Sequence, residues 1–210
     1  MTYLDASEYA TYGREPATLA SWIAAASALG EAHCRRPTLG VAQYNERLRL
    51  AGGRNTVCLT YLPLATVAPA TTPIVAARAR YALPRRGESF DVAAELASDV
   101  AQVFALPGTW TALDAASIEC CAETGELSLA ANPLGLAFNE VEITYNAGLE
   151  TIPDAVKFAC VQIVRNAQAT PALNVRASAI EQMHLEYFAD SLLDAGVRKM
   201  LAPWVAQKVG

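Results

Sequence analysis

The residues of this 210-residue chain that could carry out chemistry are its carboxylates, its five cysteines and its two histidines. Glu140 and Glu142 alternate along one predicted strand and could act as a general acid–base pair. The competing interpretation is that both side chains face solvent on an amphipathic strand. A working pair would need a concave pocket that raises the pKa of one carboxyl, and nothing in the sequence points to such a pocket.

The cysteines and histidines lack the spacings that are typical of nucleophilic or metal sites. No local pattern links His33 or His184 to a cysteine or serine nucleophile. The five cysteines include no C-x-x-C pair, and Cys120 and Cys121 are neighbours whose side chains would point to opposite faces of a strand. We therefore expect reduced, packed thiols, and we predict no catalytic residue, no metal and no cofactor.

The charges are distributed unevenly along the chain, which has a net charge of −5. Residues 1–86 carry 10 basic and 5 acidic groups, whereas residues 87–156 carry 12 acidic groups and no basic group. An acidic segment repels nucleic-acid phosphates, so we expect no DNA binding from it. A basic protein surface is a better partner for such a segment.

The composition predicts a folded chain, because 53% of the residues are hydrophobic and only 18% are charged. No apolar run approaches the roughly 20 residues that are needed to cross a bilayer. The first residues also lack the basic and apolar regions of a secretory signal, so we expect no membrane association and synthesis in a cytoplasm.

Helical periodicity at both ends and alternation in the middle predict an α+β fold, in which a helical framework carries an inserted antiparallel β-rich region. Residues 1–45 and 151–210 would pack as one helical domain, and residues 46–150 would form the insertion. The predicted helices are 16–35, 153–169 and 194–204. In the first of these we expect a buried stripe of Leu19, Trp22, Ile23, Ala26 and Leu29, with Ser21, Ser27 and Glu31 facing out.

The expected strands lie near residues 57–61, 73–81, 98–106 and 141–145, together with a hairpin at 118–130 whose turn contains Gly125. Residues 91–104 also fit helical spacing, so periodicity leaves that stretch open. Residues 38–45 are predicted to be an ordered loop. Residues 175–188 are ambiguous between helix and strand, and we favour an extended conformation.

Three segments together resemble a known family. They are Tyr44-Asn45-Glu46-Arg47 followed by Thr56 to Leu64, then Val141 to Gly148, and then Ile152 to Lys157. This order resembles the head–tail connector (adaptor, or head-completion) proteins of long-tailed bacteriophages and prophages. In that family a T-Y-x-A-G-like strand end leads through an I/V-P turn into a helix that begins D-x-x-K-x-A, as Asp154, Lys157 and Ala159 do here. Leu201-Ala202-Pro203-Trp204 is similar to the L-A-P-aromatic terminus of the family, whereas residues 65–116 match none of its segments.

The resemblance implies a non-enzymatic virion protein of the neck, made in the host bacterial cytoplasm. It would form a ring, commonly of about twelve copies, between the portal protein and a stopper or tail-completion protein. DNA would pass through the ring without specific binding. The alternatives are another virion β-protein, such as a tail terminator or a decoration protein, and a small hydrolase or lyase that uses its carboxylates.

Two sets of residues are candidates for contacts in such an assembly. The C-terminal apolar cluster and its basic neighbours would anchor on the portal, as an aromatic hot spot does; they are Met200, Leu201, Pro203, Trp204, Arg198 and Lys199. Trp204 could instead pack on the helix at 153–169. The acidic candidates would face the DNA conduit or a partner, and they are Glu119, Glu123, Glu126, Glu140 and Glu142.

Overall fold

The computed structural model describes residues 2–15, 18–50, 55–82, 108–131, 138–169, 177–180, 183–186 and 192–206, with Val92, Leu96, Asp99 and Val100. Helices and antiparallel sheets are both present in these residues, which confirms the α+β class. The chain divides into a helical unit, Met1–Leu39 with Thr151–Ala206, and a β unit, Gly40–Glu150. None of the helices in the described ranges is long and apolar enough to cross a membrane.

The helical unit contains three α-helices, of which α1 packs on α2, and α3 packs on both. They are α1 (Ala20–Cys34), α2 (Asp154–Ala169) and α3 (Ala195–Leu201), and Ala6–Glu8 and Ala202–Trp204 form short 3-10 turns. The backbones of Ala177–Ile180 and Met183–Glu186 pair as two antiparallel strands, which confirms the extended conformation expected there.

The buried face of α1 differs from the predicted stripe. The residues that it buries are small or medium in size: Ile23, Ala26, Ser27, Gly30 and Cys34. Leu19 and Trp22 are instead 64% and 39% exposed, so the predicted stripe is wrong for both. Small side chains allow neighbouring helices to approach closely, which displaces the bulky residues to the outside. Ser27, predicted to face out, is buried. Its hydroxyl can be buried because it donates a hydrogen bond to the Ile23 carbonyl at 2.8 Å.

The β unit places its core between two antiparallel sheets. The first has the strand order β1-β7-β3-β4, and the second has the order β2-β6-β5. Their bounds are β1 (Ala42–Arg49), β2 (Thr56–Cys58), β3 (Ile74–Arg80), β4 (Thr111–Leu113), β5 (Glu119–Cys120), β6 (Glu126–Ser128) and β7 (Glu140–Ala147). Val141, Ile143 and Tyr145 of β7 and Leu127 of β6 are fully buried in one shared core. The residues that alternate with them therefore lie on the outer faces of the two sheets.

Several strand predictions are confirmed and others are wrong. Strands β3 and β7 and the hairpin turn at Gly125, with φ +68°, follow the predicted pattern. The loop predicted for 38–45 is wrong from Ala42 onward, because β7 supplies a partner strand for that segment. Strand β2 ends at Cys58, so the strand predicted for 57–61 is too long. The N–H groups of Thr60 and Tyr61 donate to the side chains of Glu46 and Tyr145 instead of to a strand.

Most of residues 83–107, including much of the strand predicted at 98–106, lies outside the described residues. The described residues of that stretch, Val92, Leu96, Asp99 and Val100, are helical. Of the two alternatives left open for residues 91–104, the helix is therefore the one found at these four residues.

Candidate functional site

The outer face of the four-stranded sheet gathers six charged side chains from three adjacent strands. Two glutamates of the central strand β7 lie between pairs of arginines on β1 and β3, because the antiparallel register sets them opposite one another. The register pairs are Arg47 with Glu142, Arg49 with Glu140, Arg78 with Glu142 and Arg80 with Glu140. We call this surface, together with Trp110, the arginine face.

Glu140 is the buried centre of the arginine face. Its side chain is fully buried, and Arg47 donates to its two oxygens at 3.0 Å each. The Nε of Arg80 lies 2.5 Å from Oε2, and the Nε of Arg49 lies 3.5 Å from Oε1. Burial alone would raise the pKa of Glu140, but the hydrogen bonds from Arg47 and Arg80 outweigh it and hold that pKa below its ordinary value. A carboxyl group whose pKa is lowered is ionised near neutral pH, which makes it unsuited to act as a general acid.

Glu142 and Trp110 complete the arginine face nearer to solvent. Arg78 donates to Glu142 Oε1 from Nε at 3.1 Å and from Nη2 at 2.7 Å. The Trp110 ring covers three guanidinium groups, with its centroid 4.6 Å from Arg80, 4.9 Å from Arg78 and 5.4 Å from Arg47. These are cation–π distances. Four arginines against two glutamates leave the face with an excess of positive charge.

The arginine face corrects the interpretation of two acidic candidates. Glu140 is buried among arginines, so the prediction that it faces a conduit or a partner is wrong. The side chain of Glu142 is 19% exposed and forms an ion pair with Arg78. The acidic segment of the sequence does not become an acidic surface here, because strand pairing sets it beside arginines from residues 1–86.

The remaining acidic candidates lie on the second sheet. Glu119, Glu123 and Glu126 are exposed. In the strand register Glu119 lies opposite Ser128 and Glu126 lies opposite Cys58. Both glutamates alternate with the buried residues of their strands, and they therefore lie on the outer side of this sheet. We call these three glutamates the acidic face, and its contact with a conduit or a partner stays a prediction.

The C-terminal candidates divide into buried and accessible residues. Leu201 is only 1% exposed, and its carbonyl lies 3.9 Å from the Cys34 thiol of α1. The prediction that Leu201 contacts a partner is therefore wrong, because it belongs to the core of the helical unit. Met200 and Trp204 are half-buried, whereas the side chains of Pro203, Arg198 and Lys199 are exposed. These five residues remain candidates for a contact.

The thiols differ in their environments. Burial raises the pKa values of Cys34 and Cys160 to about 11 each, which keeps both protonated. Cys121 is exposed, and a hydrogen bond with the Thr124 side chain lowers its pKa. Within the described ranges, no three histidine, cysteine or carboxylate side chains gather closely enough to hold a metal ion.

The arginines and Trp110 were not among the candidates that the sequence suggested. The signal that could have found them is matched alternation, because Arg47-Leu48-Arg49 and Arg78-Ala79-Arg80 both complement Glu140-Val141-Glu142. No protein-family model matches the chain, and no curated protein is significantly similar to it. The geometry of these surfaces and the sequence motifs therefore carry the functional interpretation.

Proposed function

We propose that the chain is a non-enzymatic virion protein that forms the ring-shaped head–tail connector of a tailed bacteriophage. The ring, commonly of about twelve copies, would lie in the neck between the portal and a stopper or tail-completion protein. The observation that carries the proposal is that polar and aromatic residues of the segments resembling the connector family have structural partners, in one contact cluster in each unit.

The first cluster lies in the β unit and joins both parts of the first segment to the second segment. The Tyr145 hydroxyl donates to Glu46 Oε1 at 2.6 Å and accepts from the Tyr61 N–H at 3.2 Å. The second oxygen of Glu46 accepts from the Thr60 N–H at 3.2 Å. The Tyr44 ring stacks on Tyr61 with centroids 4.1 Å apart. Because every polar group named here has a partner, these motif residues have a structural role, as expected of a scaffold protein.

The second cluster fastens the N-terminal residues to α2. The Tyr12 hydroxyl donates to Asp154 Oδ1 at 2.6 Å, and Lys157 Nζ lies 2.5 Å from Glu8 Oε1. Asp154 and Lys157 are the two polar residues of the D-x-x-K-x-A motif. Within this motif the acidic and basic positions thus both have structural partners, which supports the family interpretation.

Gly148, the last residue of the T-Y-x-A-G-like strand end, has a steric reason to be glycine. Its φ is +132°, and a Cβ at this position would overlap the backbone of Gly40. The motif glycine is therefore required by the local backbone and not by a ligand.

The exposed side of α1 supports self-association. Its exposed residues include no charged side chain; they are Ala20, Ser21, Trp22, Ala24, Ala25, Ala28 and Ala32. A surface helix normally presents polar residues to water. Apart from Trp22, this face consists of small side chains, which suits close contact with a neighbouring subunit, and heterologous contacts of this kind can close into rings.

Two observations favour the connector over its alternatives. A carboxylate-dependent hydrolase needs a carboxyl group of raised pKa, whereas the pKa of Glu140 is lowered. A tail terminator or decoration protein should have little of the helical framework, whereas α1 and α2 span 15 and 16 residues.

The proposal is tested by measuring the mass of the purified chain with light scattering, alone and mixed with the portal protein of the same virus. We expect a stable co-complex that contains several copies of the chain. A chain that stays monomeric and ignores the portal would overturn the connector assignment.

Point variants test the portal contact better than truncation, because a shortened chain would lose the buried Leu201. Trp204→Ala and Lys199→Glu remove accessible candidates, and we expect both to weaken portal capture in a pull-down. Val67→Ala, at an exposed apolar position of the β unit, is the matched control. If the portal captured both variants as well as the wild type, the C-terminal residues would not be the portal contact. The connector assignment itself would still be tested by the mass measurement.

A further inference from the structure

We propose that the arginine face of one copy binds the acidic face of the next copy, so that charge complementarity joins β units head to tail. The proposal rests on the connector function, because it specifies one contact by which the ring closes. It also assigns the acidic face to a neighbouring copy instead of to the DNA conduit.

The two faces lie on opposite sides of the β unit. Val141 and Ile143 of the first sheet and Leu127 of the second are buried in the same core. Residues that alternate with Val141 and Ile143 form the arginine face, and Glu126, which precedes Leu127, belongs to the acidic face. Because each outer face points away from the shared core, the two faces of one unit can contact two different neighbours.

The arginine face keeps binding capacity after its internal ion pairs are made. A guanidinium has five N–H donors, and the bonds described for Arg78 use one from Nε and one from Nη2. The side chains of Arg78 and Arg47 are 49% and 44% exposed, so their outer donors are accessible. The neighbouring Trp110 ring adds a flat aromatic surface, and arginine and tryptophan are the residue types that dominate binding hot spots.

The acidic face has the matching chemistry. Strands β2, β5 and β6 carry no basic residue, so nothing on them neutralises Glu119 or Glu126. Carboxylates are the ligands that arginine binds in bidentate geometry. A positive face and a negative face on opposite sides of one unit form a heterologous contact, which either closes into a ring or continues as a filament.

The test uses two full-length variants, each broken on one face. Arg78→Glu reverses charge on the arginine face, and the double variant Glu119→Lys, Glu126→Lys reverses charge on the acidic face. Matched controls make the same changes at exposed positions outside both faces, Arg35→Glu and Glu150→Lys. Arg78→Gln removes the positive charge, but its amide can still donate to Glu142, so the fold should be preserved. A loss of association in this variant therefore reflects the missing charge and not a loss of folding.

Sedimentation and light scattering at about 0.05 M and about 1 M salt measure self-association. We expect the wild type to associate more weakly at high salt. Each broken variant should show a self-association Kd raised at least about tenfold, and each control should stay within about twofold. A mixture of the two broken variants should form a one-to-one pair of twice the 22.3 kDa chain mass and nothing larger, because only one pair of intact faces remains.

Several results would overturn the contact. One is that the broken variants associate as strongly as the wild type, and another is that the mixture of the two variants does not pair. A third is that the wild type binds a short DNA duplex through Arg78 and does not bind a second copy. If the wild type associates only on the portal, the number of copies bound per portal replaces the Kd. Unchanged loading by the broken variants then overturns this contact and leaves the connector function standing, whereas a wild type that binds neither itself nor the portal overturns both.

Discussion

On the outer face of the four-stranded sheet, four arginines surround two glutamates, whereas the exposed residues of α1 carry no charge at all. The ion pairs of the sheet join three strands of the β unit. The helical unit is held instead mainly by buried apolar residues, such as Ile23 and Leu201, and by hydrogen bonds such as that of Ser27. Removing one charged group should therefore harm the β unit, while the helical unit should respond mainly to changes of core volume.

The largest expected effect comes from the centre of the arginine face. Glu140→Ala leaves Arg47, Arg49 and Arg80 without their shared carboxylate, and we expect the free energy of unfolding to fall by about 3 kcal/mol. Glu142→Ala is the matched control, with an expected loss below about 1 kcal/mol, because its ion pair with Arg78 is near solvent. Urea denaturation of both variants measures the difference. Equal losses would mean that burial does not distinguish the two glutamates.

Truncation of one buried side chain tests how strongly the helical unit depends on the packing of its core. Leu201→Ala removes a fully buried side chain beside Gly30 of α1, and we expect a loss of about 2.5 kcal/mol in the free energy of unfolding. Met200→Ala, at the half-buried neighbouring position, should cost less than about 1 kcal/mol. Thermal and urea unfolding measure both. If Met200→Ala were the more damaging change, the assignment of Leu201 to the core would be wrong.

A single hydroxyl-to-carboxylate hydrogen bond should matter less than the central charge of the β unit. Tyr145→Phe keeps the ring and removes a buried hydroxyl that bonds Glu46 and the Tyr61 N–H, and we expect a loss of about 1.5 kcal/mol in the free energy of unfolding. Tyr12→Phe removes the hydroxyl that bonds Asp154 in the helical unit, and it should cost less because that bond is exposed. The same urea series compares them, and a larger effect at Tyr12 would contradict the ordering.

The sequence predicted the parts of the fold that depend on local pattern. Alternation identified β7, and the glycine of the turn identified the β5–β6 hairpin, because side-chain direction along a strand is a local property. Helical spacing identified α2. In α1 the same method correctly predicted that Ile23 and Ala26 are buried but wrongly included Leu19 and Trp22, because alanines occur all around the helix and bulky residues no longer mark the buried side.

The arginine face could not be deduced from charge counted along the chain. Arg47, Arg78 and Glu140 are far apart in sequence, and only the pairing of β7 with β1 and β3 brings them together. Counted along the chain, Glu140 and Glu142 belong to an acidic segment, but in the folded sheet they lie among arginines on a basic surface. Strand order is a non-local property, so the matched R-x-R and E-x-E patterns become informative only when it is known.

The smallest expected effect is a pH dependence that isolates the charge of Glu140. Because the pKa of Glu140 is lower in the folded protein than its ordinary value of 4.5, its ionised form stabilises the fold above that pH. This stabilisation is lost as the pH falls through the folded-state pKa. Glu140→Gln lacks the titrating group, so the gap in unfolding free energy between it and the wild type should narrow from about pH 7 to about pH 3.

The control for this pH series is Glu150→Gln, at an exposed position of the same unit. Its gap from the wild type should stay nearly constant, because an exposed carboxylate has similar surroundings in the folded and unfolded chain. Urea denaturation at each pH measures both gaps. If the difference in unfolding free energy between Glu140→Gln and the wild type were equally large at about pH 7 and about pH 3, the arginines would stabilise the packing of this side chain and not its charge. The contrast between the charged sheet and the uncharged exposed side of α1 would then depend on packing alone.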